Sequence, residues 1–378
     1  MGEVAKHFEY GLNASAKDFD GVHKYIRITD IDDELRHFDE SNLTSPDIDF
    51  EDADSYLLQR GDILFARTGA SVGKSYIHES DEEVVYFAGF LIRARFAEEC
   101  NPDFIFQNTL TDKYNIFIKV MSQRSGQPGV NAQEYASYSL GMPVFEEQQK
   151  LGSFFRTLDD IIALHKRKLD GLRKLKVGYL QQMFPQAGER VPRVRFAGFT
   201  GDWEERRFDE IVNRVSIQSN ANNVPKVEFE DIVSGEGMLN KDVASKFDSR
   251  KGIAFEPKDI LYGKLRPYLR NWLFADFSGV ALGDFWVLRA TDTVPNFNYA
   301  LIQTDKYQEV ANLSTGTKMP RSDWKIVSET DFLLPNETTE QSLIGNFFHY
   351  LDMHLSTQQA KLTKLKQLKQ AYLQKMFV

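Results

Sequence analysis

One stretch of this chain is written twice. The segments "EQQKLGSFFRTLDDIIALHKRKLDGLRKLKVGYLQQMF" (147–184) and "EQSLIGNFFHYLDMHLSTQQAKLTKLKQLKQAYLQKMF" (340–377) align without a gap at an offset of 193, and 17 of 38 positions are identical. The identities include Gly152/Gly345, Phe154/Phe347, Phe155/Phe348, Asp159/Asp352, Tyr179/Tyr372 and the closing Met-Phe. A repeat of this length requires a fold assembled from two similar units. At 378 residues the chain is long enough for two such cores.

Within the repeat, Leu158, Ile162, His165, Leu169, Leu172, Lys176, Tyr179 and Met183 follow one another at spacings of three and four. In the second copy the same positions are Leu351, Leu355, Gln358, Leu362, Leu365, Lys369, Tyr372 and Met376. That is a coiled-coil seam, interrupted in both copies by polar residues at the same two places, which can set register at some cost in stability. At ~1.5 Å per residue each helix is roughly 55 Å long. The simpler alternative is two amphipathic helices, each packed on its own domain. The seam persists over too many turns, in both copies, for that alternative to lead, and a paired spacer is expected.

The repeat extends upstream more weakly. Asp62-Ile63-Leu64-Phe65 matches Asp259-Ile260-Leu261-Tyr262, Arg93-Ala94 matches Arg289-Ala290, Ser125-Gly126 matches Thr315-Gly316, and Pro143 matches Pro335. "KYIRITDID" (24–32), "GDILFAR" (61–67), "VVYFAGFLIRARF" (84–96) and "DFWVLRA" (284–290) read as strands. "DKYNIFIKVM" (112–121) and "NYALIQTDKYQEVANL" (298–313) carry helical periodicity. The expected fold class is α+β, with two curved-sheet domains over 1–145 and 204–338. Helical segments over 146–184 and 339–378 follow them, and a Pro/Gly/Arg-rich linker over 185–203 joins the copies.

Composition narrows the class. Apolar residues make up 42% of the chain, which places it among globular proteins. A single cysteine, Cys100, excludes a disulfide framework and fits a reducing cytoplasm. No run of about 18 apolar residues offers a membrane span. The net charge of −9 is uneven: residues 1–60 hold 15 acids against 6 bases, whereas 165–176 holds six bases and one acid.

The segment "ARTGASVGKS" (66–75) approaches a phosphate-binding loop, but Gly69 stands one residue too close to Gly73. No Gly-x-Ser-x-Gly elbow, dinucleotide fingerprint or metal-ligand spacing occurs. The chain is expected to have no catalytic residues and to bind no metal.

The motifs "GDILFARTGASVGK", "RSGQPGVNAQEYASYSLGMPVFEEQQKLGSFFRTLDDII", "LQQMFPQAGERVPRVRFAGFTGDWEERRFDEIV" and "EQSLIGNFFHYLD…YLQKMF" resemble the specificity (S) subunits of Type I restriction-modification systems. The resemblance covers nearly the whole chain. It implies two target recognition domains, each reading one half of a bipartite, asymmetric DNA site, with conserved helices as ruler and docking surface. It further implies two methyltransferase (modification) subunits and restriction (translocase-nuclease) subunits as partners. S-adenosylmethionine, ATP and Mg²⁺ then belong to those partners. The chain opens inside its first recognition domain without a helix ahead of it, which the family's circular arrangement of repeats accommodates. A non-catalytic coiled-coil scaffold that binds no specific DNA sequence is the alternative.

Copy two has "LRPYLRNW" (265–272) where copy one has "TGASVGKS", so the copies share no nucleotide site. Arg67, Thr68, Lys74 and Ser75 on the Gly-rich turn suit DNA backbone contact, with Lys264, Arg266 and Arg270 serving likewise in copy two. The alternative is a tight hairpin with a solvated lysine. Base reading is expected from the loops 123–135 and 314–324, through Arg124, Gln127, Asn131, Gln133, Lys318 and Arg321. The helix-pair interface is expected from Leu158, Ile162, Leu169, Leu172 and Tyr179 against Leu351, Leu355, Leu362, Leu365 and Tyr372.

Overall fold

The computed structural model describes residues 1–51, 53–123, 127–221, 223–244, 249–313 and 319–377. The chain divides into two compact units, residues 1–166 with 361–378, and residues 167–360. The division falls inside both long helices, Phe145–Met183 and Thr338–Met376. Each unit therefore contains one strand-rich domain and a segment of each helix.

In the first unit an antiparallel sheet has the order Ala5–Tyr10, Leu91–Phe96, Ile63–Ala66, Ser75–Ile77. The second unit repeats that order with Val212–Val215, Phe285–Ala290, Ile260–Gly263 and Trp272–Phe274. The apolar run at 84–96 is two strands rather than one, Val85–Phe87 and Leu91–Phe96. Val85–Phe87 pairs in parallel with Lys24–Ile26 on the far side of the domain.

Register corrects the pairing of the two copies. Ile63 faces Ala94, and Ile260 faces Leu288, so Arg95 corresponds to Arg289. The Arg93-Ala94 match is displaced by two residues. Arg95 and Arg289 make the same contact, each closing two 2.7 Å hydrogen bonds on Asp62 or Asp259. Bidentate pairs of this kind fix geometry as well as charge.

Helix starts follow local chemistry. Pro102–Asn108 opens with Asn101 accepting from the Phe104 N–H, and Pro102 occupies a position whose missing N–H costs nothing. Asp112–Met121 is capped by Thr111. The periodic run 298–313 is split into Pro295–Leu301 and Asp305–Ala311, because Thr304 caps a new helix.

The identity Gly152/Gly345 has a packing cause. A Cβ on Gly152 would lie 2.5 Å from Asn101 Oδ1, and one on Gly345 2.6 Å from the Phe297 nitrogen. Each long helix thus crosses the start of a shorter one at backbone contact. Around these crossings sit the main cores: Phe65, Phe104, Tyr114 and Tyr135 in the first unit, and Phe184, Trp203, Phe208, Phe297 and Phe348 in the second. Each such ring contributes roughly 1.5–3 kcal/mol on burial.

Candidate nucleic-acid interface

The loop at 66–75 holds its own amides. Its N–H groups donate internally: Gly69 to Pro128 O, Val72 to Gly69 O, Gly73 to Ala66 O and Lys74 to Ser71 O. The Tyr135 hydroxyl accepts from Gly73 N–H as well, and Tyr114 donates to Gly73 O. A phosphate cradle needs those amides free. The loop is a tight turn clamped by two tyrosines, with the amides of Gly69, Val72, Gly73 and Lys74 already engaged.

Two expected DNA contacts are overturned by burial. Lys74 is only 8% exposed; its ammonium donates to Ile31 O at 3.0 Å and pairs with Asp33. Ser75 is 1% exposed, with its hydroxyl 2.7 Å from that of Thr109. Both residues serve the interior: Ser75, the first residue of its strand, packs on Thr109, and Lys74, at the end of the turn, pins the segment 31–33 in place.

The remaining first-copy residues come together. Thr68 bridges to Gly129, and Val130 N–H donates to Arg67 O at 2.9 Å, so the turn and the loop before Ala132–Ala136 form one edge. Gln127 and Gln133 are exposed on it. Asn131 is partly committed, since its side chain accepts from Glu134 N–H as a helix cap. Arg124 lies outside the described residues.

The second unit builds the same edge from different residues. Leu265 bridges to Arg321, Arg266 N–H donates to Pro320 O at 2.7 Å, and Ser322 N–H donates to Lys264 O at 2.9 Å. Arg266 and Arg321 are exposed there, while Asp284 lies 3.1 Å from Arg321 and 3.8 Å from Lys264. Arg270 instead lines a cavity of about 670 Å³ with Lys176, Trp272 and Leu301. Lys318 lies outside the described residues. Motif reading missed the aromatics of both edges: Tyr10 and Phe90 beside Arg67, and Trp324 under Arg214. Tyr10 and Phe90 stand at strand ends and Trp324 opens the helix Trp324–Ser328, and only the tertiary structure brings them to the loops.

The helix segments pair within each unit. Leu158, Ile162, Leu169, Leu355 and Leu362 are buried, whereas Leu172, Leu351, Leu365 and Tyr179 are half-buried. Tyr372 is exposed along one edge and packs edge-on against Phe154 at 5.4 Å; Tyr179 meets Phe347 in the same way at 4.9 Å. The expected interface omitted Phe155 and Leu373, which are buried with Leu158.

The seam lysines meet aspartates of the opposite helix. Lys369 lies 2.5 Å from Asp159 in the first unit, and Lys176 lies 2.5 Å from Asp352 in the second. Both aspartates are the same repeat identity, so the two bridges are one contact made twice. Burial pushes the Asp352 carboxyl up, opposed by Lys176, and burial pushes the Lys369 ammonium down, opposed by Asp159.

Comparison with known proteins agrees with this architecture. Residues 2–174 match the model of the Type I restriction modification DNA specificity domain. A curated relative, the HindI specificity subunit of Haemophilus influenzae, is 26% identical over 158 residues, which is 38% of this chain. The match spans about a third of that relative's length, 34%. The S subunit structure from M. genitalium superimposes with a TM-score of 0.67 at 12% identity, covering 100% of this chain and 94% of that one. Residues 2–174, a little under half of the chain, are thus similar to Type I restriction modification DNA specificity domains, and the whole chain shares the fold of a solved S subunit.

Proposed function

We propose that this chain is the DNA sequence-specificity subunit of a Type I restriction-modification complex, with each unit reading one half of a bipartite site. The observation that carries this reading is a scaffold made twice with different chemistry presented on it. The Asp62–Arg95 and Asp259–Arg289 brackets, the glycine crossings and the Lys–Asp seam bridges are common to both units. The exposed edges are not: Arg67 with Gln127 and Gln133 in one, Arg266 and Arg321 beside Asp284 in the other. Identical supports with unlike edges suit an asymmetric target.

On this reading the domains follow the order expected above, with recognition domains over 1–145 and 204–338 and spacer helices between and after them. The helices dock two methyltransferase subunits. Exposed apolar side chains at Ile161 and Leu164 on the first helix, and at Leu343, Tyr350 and Met353 on the second, support a partner surface there. The chain itself performs no catalysis. S-adenosylmethionine, ATP and Mg²⁺ act in the methyltransferase and restriction subunits, and the assembly works in the cytoplasm.

The test is methylome sequencing of a host that expresses this chain with its methyltransferase, before and after residues 204–338 are exchanged for those of a relative. One half of the methylated site changes and the other stays. Change in both halves, or no site-specific methylation at all, refutes the proposal and leaves the scaffold reading. The net acidic chain binds DNA weakly alone, and binding by the complex falls steeply with salt through counterion release.

A further inference from the structure

Arg67 differs from Lys74 and from the arginines of the first sheet. Arg93 pairs with Glu9, Arg95 with Asp62 and Lys74 with Asp33. Among the described residues Arg67 has no carboxylate partner. Its guanidinium lies over two rings instead, 5.1 Å from the centroid of Tyr10 and 5.9 Å from that of Phe90. Both rings are open to solvent, Tyr10 at 44% and Phe90 at 58%. The backbone holds the group in place: Arg67 N–H donates to Phe90 O at 3.0 Å, and Tyr10 Oη accepts from Ala132 N–H at 3.3 Å.

The second unit supplies an internal control. Lys264 follows its strand as Arg67 follows its own, and Lys264 N–H donates to Asp284 O at 2.9 Å as Arg67 N–H does to Phe90 O. Phe90 and Asp284 therefore occupy one structural position. In the second unit that position holds a carboxylate, which draws in Lys264 and Arg321. In the first it holds a ring, over which the cation lies, and among the described residues no carboxylate takes its N–H donors. A guanidinium held over aromatic rings at the rim of a polar edge, with no carboxylate partner among the described residues, suits bidentate recognition of guanine O6 and N7.

We infer that Arg67 reads a guanine in the half-site of the first unit, and that Phe90 and Tyr10 are positioning residues that orient it. This inference rests on the specificity-subunit reading above. It is tested with the chain assembled with its methyltransferase subunits. The probe is a DNA duplex library randomised across the first half-site, with the second half-site held at the sequence found by methylome mapping. Wild-type complex selects a guanine at one or more positions. Arg67→Ala removes the donors, so guanine preference at one such position falls about tenfold or more while the second half-site is unchanged. Phe90→Ala lowers preference at that same position, and its exposed ring makes the substitution compatible with folding. A wild-type preference without any guanine, unchanged preference in Arg67→Ala, or a loss spread evenly over all positions overturns the inference; unchanged preference in Phe90→Ala overturns the positioning role. Failure of the wild-type complex to select any sequence counts instead against the specificity-subunit reading.

Discussion

Replacing Lys176 by Met tests the seam bridge directly. In the native second unit the Asp352 carboxylate is shielded from solvent, and both of its oxygens lack a hydrogen bond of good geometry. Its charge is held by Lys176 at 2.5 Å, with His349 contributing less. Removing one partner of a buried pair typically costs 3–5 kcal/mol, because the other charge is left uncompensated. Protonation limits that cost: neutralising an aspartate of ordinary pKa takes about 4 kcal/mol at pH 7 and about 1.5 at pH 5. We expect Lys176→Met to destabilise the second unit by about 3–4 kcal/mol at pH 7 and about 1.5 at pH 5. The sign follows from linkage. Burial already raises the Asp352 pKa in the folded state, and loss of Lys176 raises it further. Stability present below the ordinary carboxyl pKa is then lost as pH rises toward the raised value. Urea unfolding of the full chain at both pH values measures the penalty, and hydrogen exchange in 167–183 and 338–360 localises it. Lys176→Met with Asp352→Leu regains most of the loss, since an apolar pair of similar volume replaces the ions. A penalty below about 1 kcal/mol at pH 7, a penalty independent of pH, or no recovery in the double variant refutes the argument.

Gly73→Ala lowers stability by about 1–3 kcal/mol in thermal unfolding, because Gly73 has φ +84° and a new Cβ would lie 2.5 Å from Ile118 Cγ2. Gly171→Ala, in open helix surface, raises stability by about 0.5–1 kcal/mol; equal effects at both sites contradict the packing account. Purified chain shows no ATP turnover, and Lys74→Ala affects stability alone; turnover abolished by that change revives the phosphate loop. A fragment of residues 1–190 lacks 361–378 and dimerises. Asp159 and Lys176 stand where Asp352 and Lys369 stand in the other copy, so two copies re-form the bridge twice as Lys176–Asp159. Light scattering that finds a stable monomer excludes this.

The twofold repeat, the long helices and the buried face of their seam were legible in the residues alone. All three are local or periodic signals: identity at a fixed offset, and apolar spacing of three and four. Asp112–Met121 was legible with its ends for the same reason, since Thr111 caps it and its own side chains define its face. Helical spacing shows which face is buried but not what meets it, so the matched lysines were visible and their aspartates across the helix pair were not. The Gly-rich turn misled on Lys74 and Ser75, because their partners, the Ile31–Asp33 segment and Thr109, are distant in sequence. Only the tertiary structure set Phe90 and Asp284 at one position. That equivalence depends on sheet register, which long-range backbone pairing sets and no local pattern encodes.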